Sequence, residues 1–320
     1  MSTTITPVEP FAHPALFYRG IEEYLDGTVP FIREGLAAGE PVAVAVPTPR
    51  MELLRAELGE AASEVRFSDM TEVGRNPGRI IPAVLCAFAD LHPARRARII
   101  GEPIWPSRSA AEYPACLQHE ALINLAFSGR AVTILCPYDL DGLDPSVVKD
   151  ARMTHPVIMD GSGTRISGDY APGRVIRDGN RSLPDPERAA THHFGGRVDP
   201  GLLGGVRDFV VGHASRMGLS GERLEDLRLI ASELAANSLD HGGGSGVVRI
   251  WPEDGQVVMD ISDAGHIADP LAGRRPADPH QRGSRGLLVT NLLSDLVRTH
   301  TGQGGTTVRV YFALPATSTI

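Results

Sequence analysis

The sequence predicts two units: an α/β unit with a mostly parallel sheet over residues 11–158, and an α+β unit over residues 195–316. Three observations predict this. In the first half, short apolar runs such as PVAVAV (41–46) and AVTILC (131–136) alternate with stretches of helical spacing, the pattern of buried parallel strands joined by helices. In the second half, two long helical patterns come first and strand patterns follow. Between them, residues 159–194 hold Gly, Ser, Asp, Arg and Pro with few large apolar side chains, which reads as a linker with at most one short ordered segment.

Each element has its own justification. Residues 1–10 read as a flexible tail. A helical pattern continues through 31–36 and stops at Gly39. Strand 41–46 follows, then helical spacing over 51–58, a strand at 65–67 and a helix over 80–91 with Pro82 in its first turn. A strand at 98–100, a helix over 111–127 and the strand 131–136 complete the half. In the second half, helices are expected over 202–217 and 222–240 and strands over 247–251 and 257–262. A helix over 286–296 and a last strand over 306–312 close the chain.

Composition excludes several classes. Among 320 residues, 42% are hydrophobic and 22% charged, enough apolar mass for two packed cores and against bulk disorder. The net charge of −8 does not indicate a globally basic nucleic-acid binder. No run approaches the length of a membrane span, and residues 1–11 lack the basic and apolar regions of a secretory signal. Three cysteines, Cys86, Cys116 and Cys136, with no CxxC pair, argue against a disulfide scaffold and suit the reducing cytosol. A cytoplasmic protein is expected.

The second half carries four spaced motifs. Glu233 and Asn237 lie four residues apart on one predicted helix, with Asp240 near the same stripe and Leu224, Leu227, Ile230, Ala231 and Leu234 forming the apolar stripe beside it. Asp263-Ala264-Gly265 ends a strand, where a carboxylate can accept a hydrogen bond from an exocyclic amine. Gly283-Ser284-Arg285-Gly286 opens a helix, whose unpaired N–H groups suit a phosphate. Gly304-Gly305-Thr306-Thr307 leads into the last strand.

In this order and spacing, residues 195–314 resemble the GHKL ATPases, and among them the RsbW-type anti-sigma-factor serine kinases. ELAANSLDH matches the N box, DAG and GSRGLL the two glycine boxes, and GGTTVRVYF the closing threonine strand. The resemblance implies a GHKL (HATPase_c) sandwich that binds ATP and Mg²⁺. It implies that Asn237 holds Mg²⁺ through the ATP phosphates, that Asp263 takes the adenine amino group with Thr306 in support, and that Glu233 is the general base. Gly265, Gly283 and Gly286 would allow close backbone approach, and Asp240, His241 and Arg285 complete the expected nucleotide site. Arg274, Arg275, Arg282 and Arg285 could neutralise phosphates. The chain departs from the DxGxG pattern of the first glycine box, with His266 and Ile267 after Gly265, and its lid segment 269–282 is rich in Pro, Arg and Asp.

The first half contains no Walker A loop: strand 41–46 is followed by Pro47-Thr48-Pro49-Arg50. A RecA-like outline without nucleotide hydrolysis is compatible with it. The strings HPALFYRG, GRNPGRIIPAV, GEPIWPSRSAAEY, HEALINLAF and CPYD resemble the MEDS domain, the sensory domain named after DcmR-type regulators, over residues 11–156. The resemblance implies a sensory role with small organic compounds as signals. His13, Tyr18, Glu102, Trp105, His119, Glu120, Cys136 and Tyr138 are the candidate lining of a signal pocket, with Glu112, Asn124 and Asp139 beside them. The alternative for these residues is a satisfied buried polar network. His119, Glu120, Cys136 and His155 are chemically capable metal ligands but show no recognisable ligand spacing.

These resemblances imply an anti-sigma regulator. Its kinase would act on a serine or threonine of an anti-anti-sigma (STAS) partner, or would sequester a sigma factor, under control of the sensory domain. A homodimer is a further family expectation. Two alternatives stay open: a binding switch without catalysis, and a sensor histidine kinase with His119 of QHEALINLAF as phosphoacceptor.

Overall fold

The computed structural model describes residues 10–196, 200–276 and 285–315. The chain divides into two compact units, Met1–Gly74 with Ile80–Arg177, and Arg75–Arg79 with Asp178–Ile320.

The first unit is built on a mostly parallel sheet. Its elements are β1 (Phe11–Ala12), β2 (Pro14–Tyr18), α1 (Gly20–Ala37), β3 (Val42–Val46), α2 (Thr48–Leu58), β4 (Val65–Asp69) and α3 (Met70–Val73). In chain order come α4 (Pro77–Ile80), whose residues 77–79 group with the second unit, then a π-helical turn (Ile81–Cys86), α5 (Ala87–Asp90), β5 (Ala97–Gly101), α6 (Tyr113–Ala126) and β6 (Val132–Asp139). The elements α7 (Pro145–Thr154), β7 (Val157–Asp160), β8 (Gly163–Ile166) and α8 (Pro172–Gly179) follow. The strand order is β4-β3-β5-β6-β2-β7-β8, with β1 also paired to β6. All pairings are parallel except β7 with β8. Central strands covered on both faces need apolar residues at every position, and β2 and β3 are buried throughout.

Helix α1 begins well before residue 31 and passes through Pro30. Pro30 is tolerated because it and Asp26, whose carbonyl loses its partner, are both exposed to solvent. Pro82 falls in the π-helical turn rather than in the first turn of a regular helix.

The second unit is an antiparallel sheet backed by helices. Its elements are β9 (Ala190–Gly195), α9 (Pro200–Arg216), α10 (Gly221–His241), β10 (Ser245–Glu253), β11 (Gln256–Asp263), α11 (Arg285–Leu293), β12 (Leu296–Gly302) and β13 (Gly305–Ala313). The strand order is β12-β13-β11-β10-β9. Val257, Met259 and Ile261 of β11 and Val308, Val310 and Phe312 of β13 alternate toward the helices, where they pack on Leu227, Ile230, Ala231 and Leu234 of α10. Leu224 is packed against this core but only partly buried.

The opposite sheet face is organised by charge. Asp260 stands in register between Arg249 and Arg309 on its two neighbouring strands. Arg249 donates from Nε (2.8 Å) and Nη2 (2.9 Å), and Arg309 from Nε (3.2 Å) and Nη2 (2.9 Å), to the Asp260 carboxylate. Segment 184–185 covers this face: Arg309 also donates to the Pro184 carbonyl at 2.8 Å, and Arg249 to Asp185 at 2.6 Å.

Two sequence expectations change. The stretch 159–194, expected as a linker, holds part of β7, all of β8 and α8 and most of β9, and β9 pairs with β10 as an edge strand of the second sheet. The helix expected to run to 296 ends at Leu293, because residues 296–302 pair with β13. Apolar residues in LLVTNLLSDLV keep helical spacing through Val297, and the available strand partner overrides that local pattern. Asp295 fixes the change of direction by accepting from the Ala313 amide (2.8 Å) and by an ion pair with Arg223 (2.8 Å).

Asp260→Ala leaves two cations facing each other across the sheet without their shared anion, so the second unit is expected to lose about 3–5 kcal/mol. Urea unfolding read from Trp251 in a Trp105→Phe background measures this; a loss under about 1 kcal/mol would show that the cluster is no more than a surface pair.

Candidate functional site

In the second unit a cavity of about 500 Å³ opens between α10, the end of β11 and the start of β13. Leu234, Asn237, Ser238 and His241 reach it from α10, and Asp263, Gly265, His266, Ile267, Thr306 and Leu287 border it. The spacing 234, 237, 238, 241 is one stripe of a helix. Asp240 is exposed and does not border the cavity. At about 100° per residue, Asp240 falls about 60° to one side of Asn237 and His241 about 40° to the other. The cavity lies on the His241 side, so Asp240 leaves the expected set.

The Asp263 carboxylate is anchored at both oxygens. Oδ2 accepts from the Ser238 hydroxyl at 2.6 Å, and Oδ1 accepts from the Gly265 amide at 2.8 Å. Ser238 was not among the expected residues. Its signal is a small hydroxyl at a core position of the helix, where the side chain is 1% exposed. Close approach explains two glycines. A Cβ on Gly265 would stand 2.7 Å from the His241 carbonyl and 2.9 Å from Asp263 Oδ1. A Cβ on Gly305, at φ +112°, would stand 2.0 Å from the Asp263 carbonyl.

Thr306 is buried and donates to the Gly265 carbonyl at 2.9 Å. Its hydroxyl also meets Thr301 of β12 at 2.9 Å. Thr301 in turn accepts from the Ile267 amide at 3.0 Å and lies 3.1 Å from His266 Nδ1. The residues that depart from the glycine-box pattern are therefore held by a strand that the sequence reading placed partly in a helix.

Glu233 and Asn237 are half-buried and stand over the first turn of α11: a Cβ on Gly286 would lie 2.9 Å from Asn237 Nδ2 and 3.0 Å from Glu233 Oε2. Glu233 does not itself border the cavity. Arg275 borders it and is paired with Asp269, while Arg274 is buried and Arg285 exposed. Gly283 and Arg282 lie outside the described residues.

In the first unit the candidate pocket residues gather into two groups. At the carboxyl ends of the strands, Tyr18 and Tyr24 lie under the Arg50 guanidinium, at 5.3 and 4.9 Å from the ring centroids, with Glu102 and Asp139 nearby. Tyr24 and Arg50 were not expected there. The second group is His13, Glu120 and Cys136, joined by His155, with ligand-type atoms all within 4.8 Å of one another. Tyr138 packs edge-on against His155 at 5.5 Å. Burial and the neighbouring His155 push His13 down to about 4, and burial and the charge of Glu120 push the Cys136 thiol up. Trp105 lies under the Arg108 guanidinium at 3.9 Å, and His119, 1% exposed, is not one of the four clustered ligand-type residues. Glu112 instead pairs with Arg108 at 2.9 Å.

Two expectations follow. Ser238→Ala removes a charge-assisted hydrogen bond from Asp263 and is expected to cost about 2 kcal/mol in urea unfolding of the second unit; an unchanged midpoint would remove Ser238 from its anchoring role. Burial pushes the Glu102 carboxyl from 4.5 up to about 8, with the Arg50 charge opposing and the Asp139 charge adding to the shift. The folded state then keeps a proton that the unfolded chain releases, so stability is greatest below pH 4.5 and falls as pH rises toward about 8. The difference between wild type and Glu102→Gln, measured by urea unfolding across this range, is expected to grow with pH by a few kcal/mol; a pH-independent difference would contradict a protonated Glu102.

Comparison with known proteins finds a family match in each half of the chain. Residues 12–156 match the family model of the methanogen/methylotroph DcmR sensory (MEDS) domain, and residues 197–312 match that of the histidine kinase-like ATPase domain. A serine-protein kinase RsbW from Halalkalibacterium halodurans is 29% identical over 109 residues, covering 30% of this chain and 67% of that kinase. The crystal structure of the RsbU and RsbW domains of a Mycobacterium tuberculosis protein is 21% identical, with a TM-score of 0.30, and the match covers 40% of this chain and 34% of that one. Among the described residues no helix is long and apolar enough to cross a membrane. Two segments of the chain thus match family models, a MEDS domain followed by a histidine kinase-like ATPase domain, and the second half is similar to a serine-protein kinase RsbW.

Proposed function

We propose that this protein is an anti-sigma regulatory factor whose second unit binds ATP with Mg²⁺ and phosphorylates a serine or threonine of an anti-anti-sigma (STAS) partner, under control of the MEDS domain. The observation that carries the reading is the cavity that brings Asn237, Asp263, Gly265 and Thr306 together beside Glu233.

The residues present fit a nucleotide. Gly265 and Gly305 clear backbone space around Asp263, and the Asp263 carboxylate keeps lone pairs beyond the two already used by Ser238 and Gly265. Asp263 would receive the exocyclic amine of adenine, with Thr306 holding the adjoining loop. Asn237 would offer its amide oxygen to the metal. When bound, Mg²⁺–ATP supplies the transferable phosphoryl group and neutralises its charge. Glu233 would accept the proton of the partner's hydroxyl, and that proton stays on the carboxylate until solvent removes it. The fusion to a MEDS domain supports sensory control, with a small organic compound as signal. A sigma factor is the second protein partner of this reading.

A binding switch without turnover is favoured by one observation. Ile267 stands where the family pattern has its second glycine, and its amide is already taken by Thr301. His119, at 1% exposure, offers no accessible phosphoacceptor for the histidine kinase alternative.

Calorimetric titration with ATP, with and without Mg²⁺, separates the readings. Saturable binding strengthened by Mg²⁺ is expected, with Asn237→Ala losing the Mg²⁺ effect. In a transfer assay with the STAS partner, Glu233→Gln should keep nucleotide binding and lower phosphorylation by about 10²–10⁴-fold. Binding without any transfer by the wild type would favour the switch, and absence of ATP binding would overturn the nucleotide site.

A further inference from the structure

We propose that His13, Glu120, Cys136 and His155 form a closed, four-ligand site for one zinc-type divalent cation in the MEDS domain. These residues come from four places: the β1–β2 junction, α6, β6 and the end of α7. Each is at most 1% exposed.

The distances are those of metal ligands. Glu120 Oε2 lies 3.4 Å from His13 Nε2 and 3.1 Å from His155 Nε2, and Cys136 Sγ lies 3.4 Å from His13 Nε2. With zinc–nitrogen and zinc–oxygen bonds near 2.0–2.1 Å and zinc–sulfur near 2.3 Å, tetrahedral ligands stand about 3.3 Å apart, or about 3.6 Å where one is sulfur. Three of the six pairs already stand near that spacing, and all four ligand atoms lie within 4.8 Å of one another.

The proton inventory points the same way. His155 Nδ1 lies 2.9 Å from the Ala151 carbonyl, which can only accept, so Nδ1 carries a hydrogen. The Asn124 Nδ2 group donates to the Thr154 carbonyl at 2.9 Å and to the carbonyls of Glu120 and Ala121 at 3.3 Å. That turns Asn124 Oδ1 toward His13 Nδ1, at 3.2 Å, and makes this nitrogen a donor too. Each neutral imidazole therefore aims the bare lone pair of Nε2 into the cluster, toward a carboxylate. The Glu120 oxygens and His155 Nε2 find no hydrogen-bond partner outside the cluster and face one another and His13. Four electron-pair donors facing one another, away from water, repel unless a cation sits between them.

Charge and donor type select the cation. Glu120 as carboxylate and Cys136 as thiolate carry two negative charges, which a divalent ion cancels, so the loaded site is neutral where burial demands it. Two imidazoles, one thiolate and one carboxylate suit zinc, whereas Mg²⁺ and Ca²⁺ require six or more oxygens. Asn124 and the Ala151 carbonyl act as the outer partners that fix the two histidine tautomers. Binding releases the Cys136 proton, so affinity falls as pH falls. The rival state is a metal-free ion pair of protonated His155 with Glu120.

The test uses the full chain, stripped with a chelator, dialysed, and titrated with Co²⁺ as a spectroscopic stand-in for zinc. One equivalent is expected to give the visible bands of a tetrahedral site and a sulfur-to-cobalt charge-transfer band, both abolished by one equivalent of Zn²⁺. Cys136→Ser should lose the charge-transfer band, and Asn124→Ala, which removes no ligand, should weaken binding by about 10–100-fold. Circular dichroism checks that each variant is folded. No saturable band in the wild type, or an unchanged charge-transfer band in folded Cys136→Ser, would overturn the site and leave the ion pair in its place.

Discussion

The second unit depends on the turn that ends β11. Asp263 is tied to α10 by the Ser238 hydroxyl and to its own turn by the Gly265 amide, so one carboxylate joins helix, strand and loop. The adjoining loop is then fixed from the sheet side by Thr306 and Thr301. Without these bonds the wall of the cavity would be an ordinary mobile turn. With them, Asn237, Asp263 and Gly265 face one space. The register that brings Thr306 opposite Asp263 also sets Asp260 between Arg249 and Arg309 on the other face. A slip of one residue would reverse both faces at once, so the charge cluster and the cavity stand or fall on the same alignment.

The first unit solves a different problem. Its sheet is mostly parallel with buried central strands, and polar side chains inside it have few places to go. They collect in two groups. One, with Tyr18, Tyr24, Arg50 and Glu102, sits at the carboxyl ends of the strands, where parallel sheets leave room for chemistry. The other, around Glu120, is fully enclosed. The enclosed group has matched donors and balanced charge only with a cation, and the strand-end group has a carboxyl held protonated by burial.

Parts of this were readable in the residues, for identifiable reasons. The strands 41–46 and 131–136 are apolar runs of the right length, and α10 follows from its apolar stripe. The motif residues Asn237, Asp263, Gly265 and Thr306 carry the nucleotide-site reading because family spacing names them, although periodicity alone would have left Asn237 on a solvated face. The reading failed where two patterns coincide. Residues 294–296 continue the helical spacing, although Leu296 opens a strand, and 190–195 lack the bulk that announces an edge strand. Asp240 was included because three residues is a helical repeat, yet the repeat of four, at His241, faces the cavity.

What the sequence by itself determined is local and periodic: which segments bury one face or two, where turns demand glycine, and which polar types sit in a known order. What only the tertiary structure decided is which distant residues meet. Ser238 and Asp263 are 25 positions apart, and His13 and Cys136 are 123 apart. His119 looks as good a ligand as Glu120 in the linear chain. Adjacent residues on a helix point about 100° apart, so when Glu120 faces the cluster His119 cannot, and the place is taken by His13 from across the sheet. Spacing along a chain encodes contacts within one element; contacts between elements depend on register and strand order, which are settled only when the whole core packs.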